Sequence, residues 1–278
     1  MKRPFFVFLR LELSDALRSK WLLFASVLYL GLGGAFVWLG LRESTVLGFT
    51  GLSRVLLNVA NAVIVIFPLV VLIGTHAAVI RGRTTGFCEL MLSQPVRRST
   101  WLFALLASRM LILLGPLVLL LLACGIAALT GEGEPEFWSV AVRSLSICAA
   151  LVFAFIGVGL WISTVANTTE RALVWALVTF VATSALQDIL LITTLLRTSL
   201  PPQLVFGLAA LNPSEAARVG ILTSVDPELS VLGPVGFWLA NTLGPLRALE
   251  LAVGWPTSIG VVCCALALWR LHRIDLVA

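Results

Sequence analysis

The stretch Trp101–Leu129 reads WLFALLASRMLILLGPLVLLLLACGIAAL and carries a single charge, Arg109. A helix needs about 20 apolar residues to cross a hydrocarbon core ~30 Å thick. This run exceeds that length and is continuous, without the period-two alternation of a membrane barrel strand. It therefore predicts a transmembrane helix. Five further runs meet the same test: Trp21–Gly40, Leu57–Ile80, Arg143–Val165, Ala172–Leu196 and Leu251–Trp269. The whole chain agrees, with 278 residues that are 59% hydrophobic and 12% charged. A soluble domain carries about 25% charge, and the mean hydropathy here is +1.04. The expected fold is an all-α membrane protein with six transmembrane helices.

The few charges give an orientation, because Lys and Arg collect on the cytoplasmic side. Twelve basic and five acidic residues fall on the side that holds both termini, and six basic and eight acidic ones on the other. The sides carry net +7 and −2, while Arg109 and Asp188 lie within spans and cancel. Both termini are expected in the cytoplasm of a bacterial inner membrane, and the basic balance is a topology signal with no call for nucleic acid. The first span is full length and has no clear cleavage site, so it reads as an anchor. Residues 1–278 read as one transmembrane domain. Residues 1–20 form an amphipathic helix, 21–80 the first two spans, 81–100 a cytoplasmic loop and 101–196 spans three to five. A long periplasmic loop follows at 197–250, then the sixth span at 251–269 and a cytoplasmic tail at 270–278. The loop holds six of the twelve prolines, and Val231–Leu243 is short enough to re-enter the membrane without crossing it.

Several chemistries are excluded. The only lysines, Lys2 and Lys20, stand in no G-x-x-x-x-G-K-[ST] setting, so the chain holds no P-loop ATPase. His76 and His272 form no H-E-x-x-H, and the five cysteines form no C-x-x-C, so no metal or other cofactor is expected in this chain. No catalytic residue is assigned: there is no glycine-framed serine beside a span histidine and no paired glutamates. Repeated halves and abundant intramembrane charge, expected of a secondary transporter, are also missing.

Three features could carry function. In the N-terminal helix, Phe5, Phe6, Leu9, Leu13, Ala16 and Leu17 share an apolar arc opposite Arg10, Ser14 and Arg18. It reads either as a passive anchor in the lipid headgroups or as an elbow touching a cytoplasmic partner. The loop R-G-R-T-T-G-F-C-E-L-M-L-S-Q-P starts at Arg81 and predicts a helix of about nine residues, roughly 14 Å long, between Gly86 and Pro95. Phe87, Leu90 and Met91 are expected on one face, and the helix reads as a compact lever or as a segment lying on the membrane. Arg97 and Arg98 suit either reading, since both favour anionic headgroups. Arg109 and Asp188 are intramembrane candidates by default. The alternatives are an Arg109 that snorkels to the interface and an Asp188 hydrogen-bonded at an outer helix end. Gly157 and Gly159 should let spans approach closely.

An amphipathic helix, two spans, a short lever ending in Pro95 and four more spans together resemble the membrane subunits of ABC-2 type transporters. More narrowly, the chain is similar to the permeases associated with nitrous oxide reductase maturation. The matching pieces run in order along most of the chain: Glu12-Leu13-Ser14-Asp15, Leu17-Arg18, Trp21-Leu22-Leu23, Leu47-Gly48-Phe49-Thr50, Pro68-Leu69, the lever with Pro95, Asp188 and Leu211-Asn212-Pro213. The resemblance implies a homodimer in which each copy docks a separate ATP-binding subunit, where ATP and Mg are held. The lever is then the coupling helix, with Gly86, Phe87, Glu89, Leu90, Met91 and Pro95 at the contact. It also implies export, of a sulfur species for periplasmic copper–sulfur cluster assembly, and a periplasmic β-helical protein as a further partner. The family usually carries acidic residues just before this helix. Here Arg81 and Arg83 stand there, implying a more acidic groove on the ATPase. Other functions remain open: an ABC-2 exporter of lipid, drug or glycan, or a membrane scaffold that translocates nothing.

Overall fold

The computed structural model describes residues 2–18, 64, 66–93, 96–130, 137–186, 202–225, 241–242 and 244–273, with scattered positions between 20 and 34. Its helices are α1 (Lys2–Arg18), α2 (Ile66–Thr84), α3 (Phe87–Leu92), α4 (Arg98–Thr130), α5 (Phe137–Val165) and α6 (Thr169–Val181). A π-helical turn, Ala182–Leu186, extends α6. Then come α7 (Pro202–Ala210), α8 (Pro213–Val225) and α9 (Gly244–Arg273). There is no strand among the described residues.

Four of these helices are long and apolar enough to cross a bilayer: α2, α4, α5 and α9. They correspond to the second, third, fourth and sixth expected spans. The first, Trp21–Gly40, lies outside the described residues apart from scattered positions, and the fifth, Ala172–Leu196, is described as far as residue 186. The chain is an integral membrane protein.

The fold is organised around α5, which packs against α9, α4, α8, α2 and α6. Of its spanning window 67% is buried inside the protein, against 28% for α9. On α9, Val261, Val262, Leu266 and Trp269 face outward. Such apolar exposure suits lipid, because tails are as apolar as leucine. The expected close approach is present: a Cβ on Gly157 would sit 2.7 Å from the Gly260 carbonyl oxygen of α9.

The segment 197–250, expected as a long loop after the fifth span, contains helices. Residues 213–225 form α8, a helix packed on α5 and α9 with Ala217 and Ile221 fully buried. Asn212 begins it: its Oδ1 accepts from the Ser214 N–H at 2.9 Å, and Pro213 takes the first helical position, where its missing N–H costs nothing. Asn212 Nδ2 donates to the Thr183 carbonyl in the π-helical turn, a place where carbonyls lose their regular partners. Trp255 Nε1 of α9 donates to the Leu211 carbonyl at 3.1 Å. The re-entrant candidate Val231–Leu243 lies outside the described residues save for 241 and 242.

Candidate functional site

The lever is built by the end of one helix and the start of another. At the end of α2, Thr85 N–H and Oγ1 both reach the Arg81 carbonyl, at 3.0 and 2.8 Å. Thr84 Oγ1 donates to the Ile80 carbonyl at 3.2 Å. Gly86 then turns the chain with φ +70°, a conformation that disfavours any residue with a Cβ. Its carbonyl accepts from Glu89 and Leu90 and starts α3. Ser93 Oγ closes the helix on the Leu90 carbonyl at 2.8 Å.

This α3 has six residues, about 9 Å, and is shorter than the nine-residue helix expected. Arg81 and Arg83 are placed on the last turn of α2. Met91 lies on α3; Pro95 and Asp188 lie outside the described residues.

The two faces of α3 differ. Phe87 turns inward, with its ring centroid 6.2 Å from Phe8 of α1 at 84° and 6.1 Å from Trp101 of α4 at 49°. Cys88 is fully buried beside it. Burial pushes the Cys88 thiol up to about 11, against the pull of Arg83 and Arg98, so it stays protonated and unreactive. A Cβ on Gly82 would lie 3.0 Å from the Trp101 ring and 3.2 Å from Cys88 Sγ, so the arm of α2 passes these side chains closely. Leu90, by contrast, is 71% exposed, and Glu89, Ser93, Arg81, Thr84 and Arg97 are exposed too. Phe87 and Leu90 therefore do not share a working face: one anchors the lever and the other is presented.

Trp101 joins the lever to the N-terminal helix. Its side chain is buried and its Nε1 donates to Glu12 Oε1 at 3.0 Å. Burial raises the Glu12 carboxyl above its usual range, and the Trp101 hydrogen bond and the positive field of Arg109 pull it back. The protein-facing side of α1 is Phe8, Glu12 and Ala16, flanked by Phe5, Leu9 and Leu13. Phe6 and Leu17, expected on the apolar arc, are exposed. The helix thus rotates so that Glu12 meets Trp101. It is part of the packed fold and touches the lever directly.

Arg109 of α4 is 8% exposed, and its buried Nε has no hydrogen-bond partner among the described residues. Arg98 Nη1 donates to the Leu271 carbonyl at 2.7 Å, capping α9. Arg270 Nε reaches the Thr164 carbonyl at 3.4 Å. The arrangement therefore offers a rigid, exposed tip on a helix clamped from behind. Among the described residues no group of three or more His, Cys, Asp or Glu could hold a metal. Sequence reasoning passed over Phe8, Trp101 and the capping role of Arg98, because each acts through a partner distant in the chain.

Comparison with known proteins bears on this geometry. The family described as ABC-2 family transporter protein matches residues 7–242. A protein named "Probable ABC transporter permease protein NosY" from Stutzerimonas stutzeri is 28% identical over 233 residues, covering 81% of this chain and 83% of the relative. A protein of the same name from Pseudomonas aeruginosa is 27% identical over 267 residues, covering 94% and 91%.

Proposed function

Since the chain belongs to the ABC-2 transporter family, we propose that it is the permease subunit of an ABC transporter whose α3 lever docks a separate, NosF-like ATP-binding subunit. The observation that carries this reading is the division of α3 into an anchored face and a presented one. Phe87 is wedged against Phe8 and Trp101, and Leu90 is exposed. An exposed apolar side chain on a short, braced helix is suited to a hydrophobic pocket on a partner. The chain has no P-loop lysine of its own, so ATP and Mg belong to that partner.

In this reading two copies of the chain form the transporter, with both termini in the cytoplasm. The likeness to proteins named NosY favours export of a sulfur species for copper–sulfur cluster maturation of nitrous oxide reductase, with a NosD-like β-helical protein in the periplasm. Arg81 and Arg83 on the last turn of α2 match an acidic groove on the ATPase.

Reversing both arginines to Glu tests the docking surface. The expected result is loss of co-purification with the cognate ATPase and loss of ATPase stimulation, with the permease still folded. Unchanged co-purification and stimulation would overturn it.

A further inference from the structure

Helix α2 is interrupted at His76 and Ala77, just before the arm Ala78–Thr84 that carries the lever. Before the break, side chains take up carbonyls of the preceding turn. Thr75 Oγ1 donates to the Val71 carbonyl at 2.7 Å, and His76 Nδ1 lies 2.8 Å from the Ile73 carbonyl. Such back-bonding bends a helix. A helix that restarts leaves its first N–H groups without intrahelical acceptors. Its N-cap residue here is Ala77, whose side chain offers no hydrogen bond.

The missing acceptor comes from another helix. Ser163 Oγ of α5 accepts from Val79 N–H at 2.9 Å and from Ile80 N–H at 3.4 Å. Ser163 is fully buried, so water cannot take its place. One turn away on the same face of α5, a Cβ on Gly159 would collide with Thr75 Oγ1. The two helices thus meet in register, Thr75 on Gly159 and Val79 on Ser163.

We infer that Ser163 is a positioning residue that caps the arm of α2 from α5, making arm and α5 one body hinged to the rest of α2 at Thr75–Ala77. Displacement of the lever then passes to α5, the helix at the centre of the bundle. This linkage rests on α3 being the lever; the cap itself does not.

The test uses the full chain in lipid nanodiscs and then its complex with the ATPase. In Ser163→Ala, amides of Val79 and Ile80 should exchange roughly tenfold faster, as for a lost helix cap, with the turns before Thr75 unchanged and Ser163→Thr restoring protection. Unaltered exchange at Val79 and Ile80 would overturn the cap. In the complex, a label pair at Thr85 and Val165 should keep one distance with and without nucleotide, while a pair at Thr85 and Leu69 changes. In Ser163→Ala the first pair should change as well. A wild-type Thr85–Val165 distance that moves with nucleotide while Thr85–Leu69 stays fixed would overturn the hinge. If neither distance responds to nucleotide while the exchange result holds, the lever reading fails and the cap stands.

Discussion

Two of the junctions among the described residues are closed by different forces. One gathers α1, α3 and the start of α4 around Phe8, Phe87 and Trp101, with a single hydrogen bond from Trp101 to Glu12. The other lies along α6, whose turn at Thr183 is fourteen residues past Thr169, about 21 Å away. There Asn212 bonds the Thr183 carbonyl and caps α8, and Trp255 bonds the Leu211 carbonyl. Aromatic pairs accept both offset-stacked and edge-to-face arrangements, each pair adding about 0.5–1.5 kcal/mol beyond its buried area. Hydrogen bonds to fixed carbonyls weaken steeply with angle. In the proposed reading the first junction moves with the lever and the second stays in place.

The largest way to break that contrast is Trp101→Ala. It removes a buried ring from three helices and strips Glu12 of its donor, so the loss should be about 3–5 kcal/mol. Thermal unfolding in detergent should show it, and protease should cut α1 free. Asn212→Ala should cost less, about 1–3 kcal/mol. It should loosen α8 while leaving α1 and α3 protected, as amide exchange can show. The smallest effect is electrostatic. Because burial raises the Glu12 carboxyl above 4.5, the folded chain holds that proton to higher pH than the unfolded chain. The stability this contributes is full below 4.5 and is lost as pH rises through the folded value. Wild type should therefore lose stability relative to Glu12→Gln as pH rises from about 4.5 toward neutrality. A gain over the same window would contradict the burial.

Much of the architecture was legible because bilayer length and apolar continuity are strong signals. Trp101–Leu129 and the spans beside it needed little more than counting. The start of α3 was legible as punctuation, with Gly86 ahead of it, whereas its end at Leu92 falls short of Pro95. Its division into two faces was not, because Phe87 and Leu90 are both simply apolar and only Phe8 and Trp101 decide which turns in. Helix α8 was hidden by the prolines around it, although Asn212-Pro213-Ser214-Glu215 is a start signal: an N-cap amide, proline at the first position and an acid in the first turn. Ser163 gave no local sign at all. Its role exists only because another helix breaks beside it.

The central claim, that α3 is the docking lever and Leu90 its tip, is tested most directly by Leu90→Asp. The measurement is ATP hydrolysis by the cognate ATP-binding subunit reconstituted with the permease in nanodiscs. Leu90 is 71% exposed, and exposed substitutions shift stability by about 0.5 kcal/mol or less, so the permease should unfold at its usual temperature. The account predicts that stimulation of hydrolysis falls at least about tenfold, since losing an interface anchor costs roughly 2 kcal/mol or more. Full stimulation by a Leu90→Asp permease of unchanged stability would contradict it.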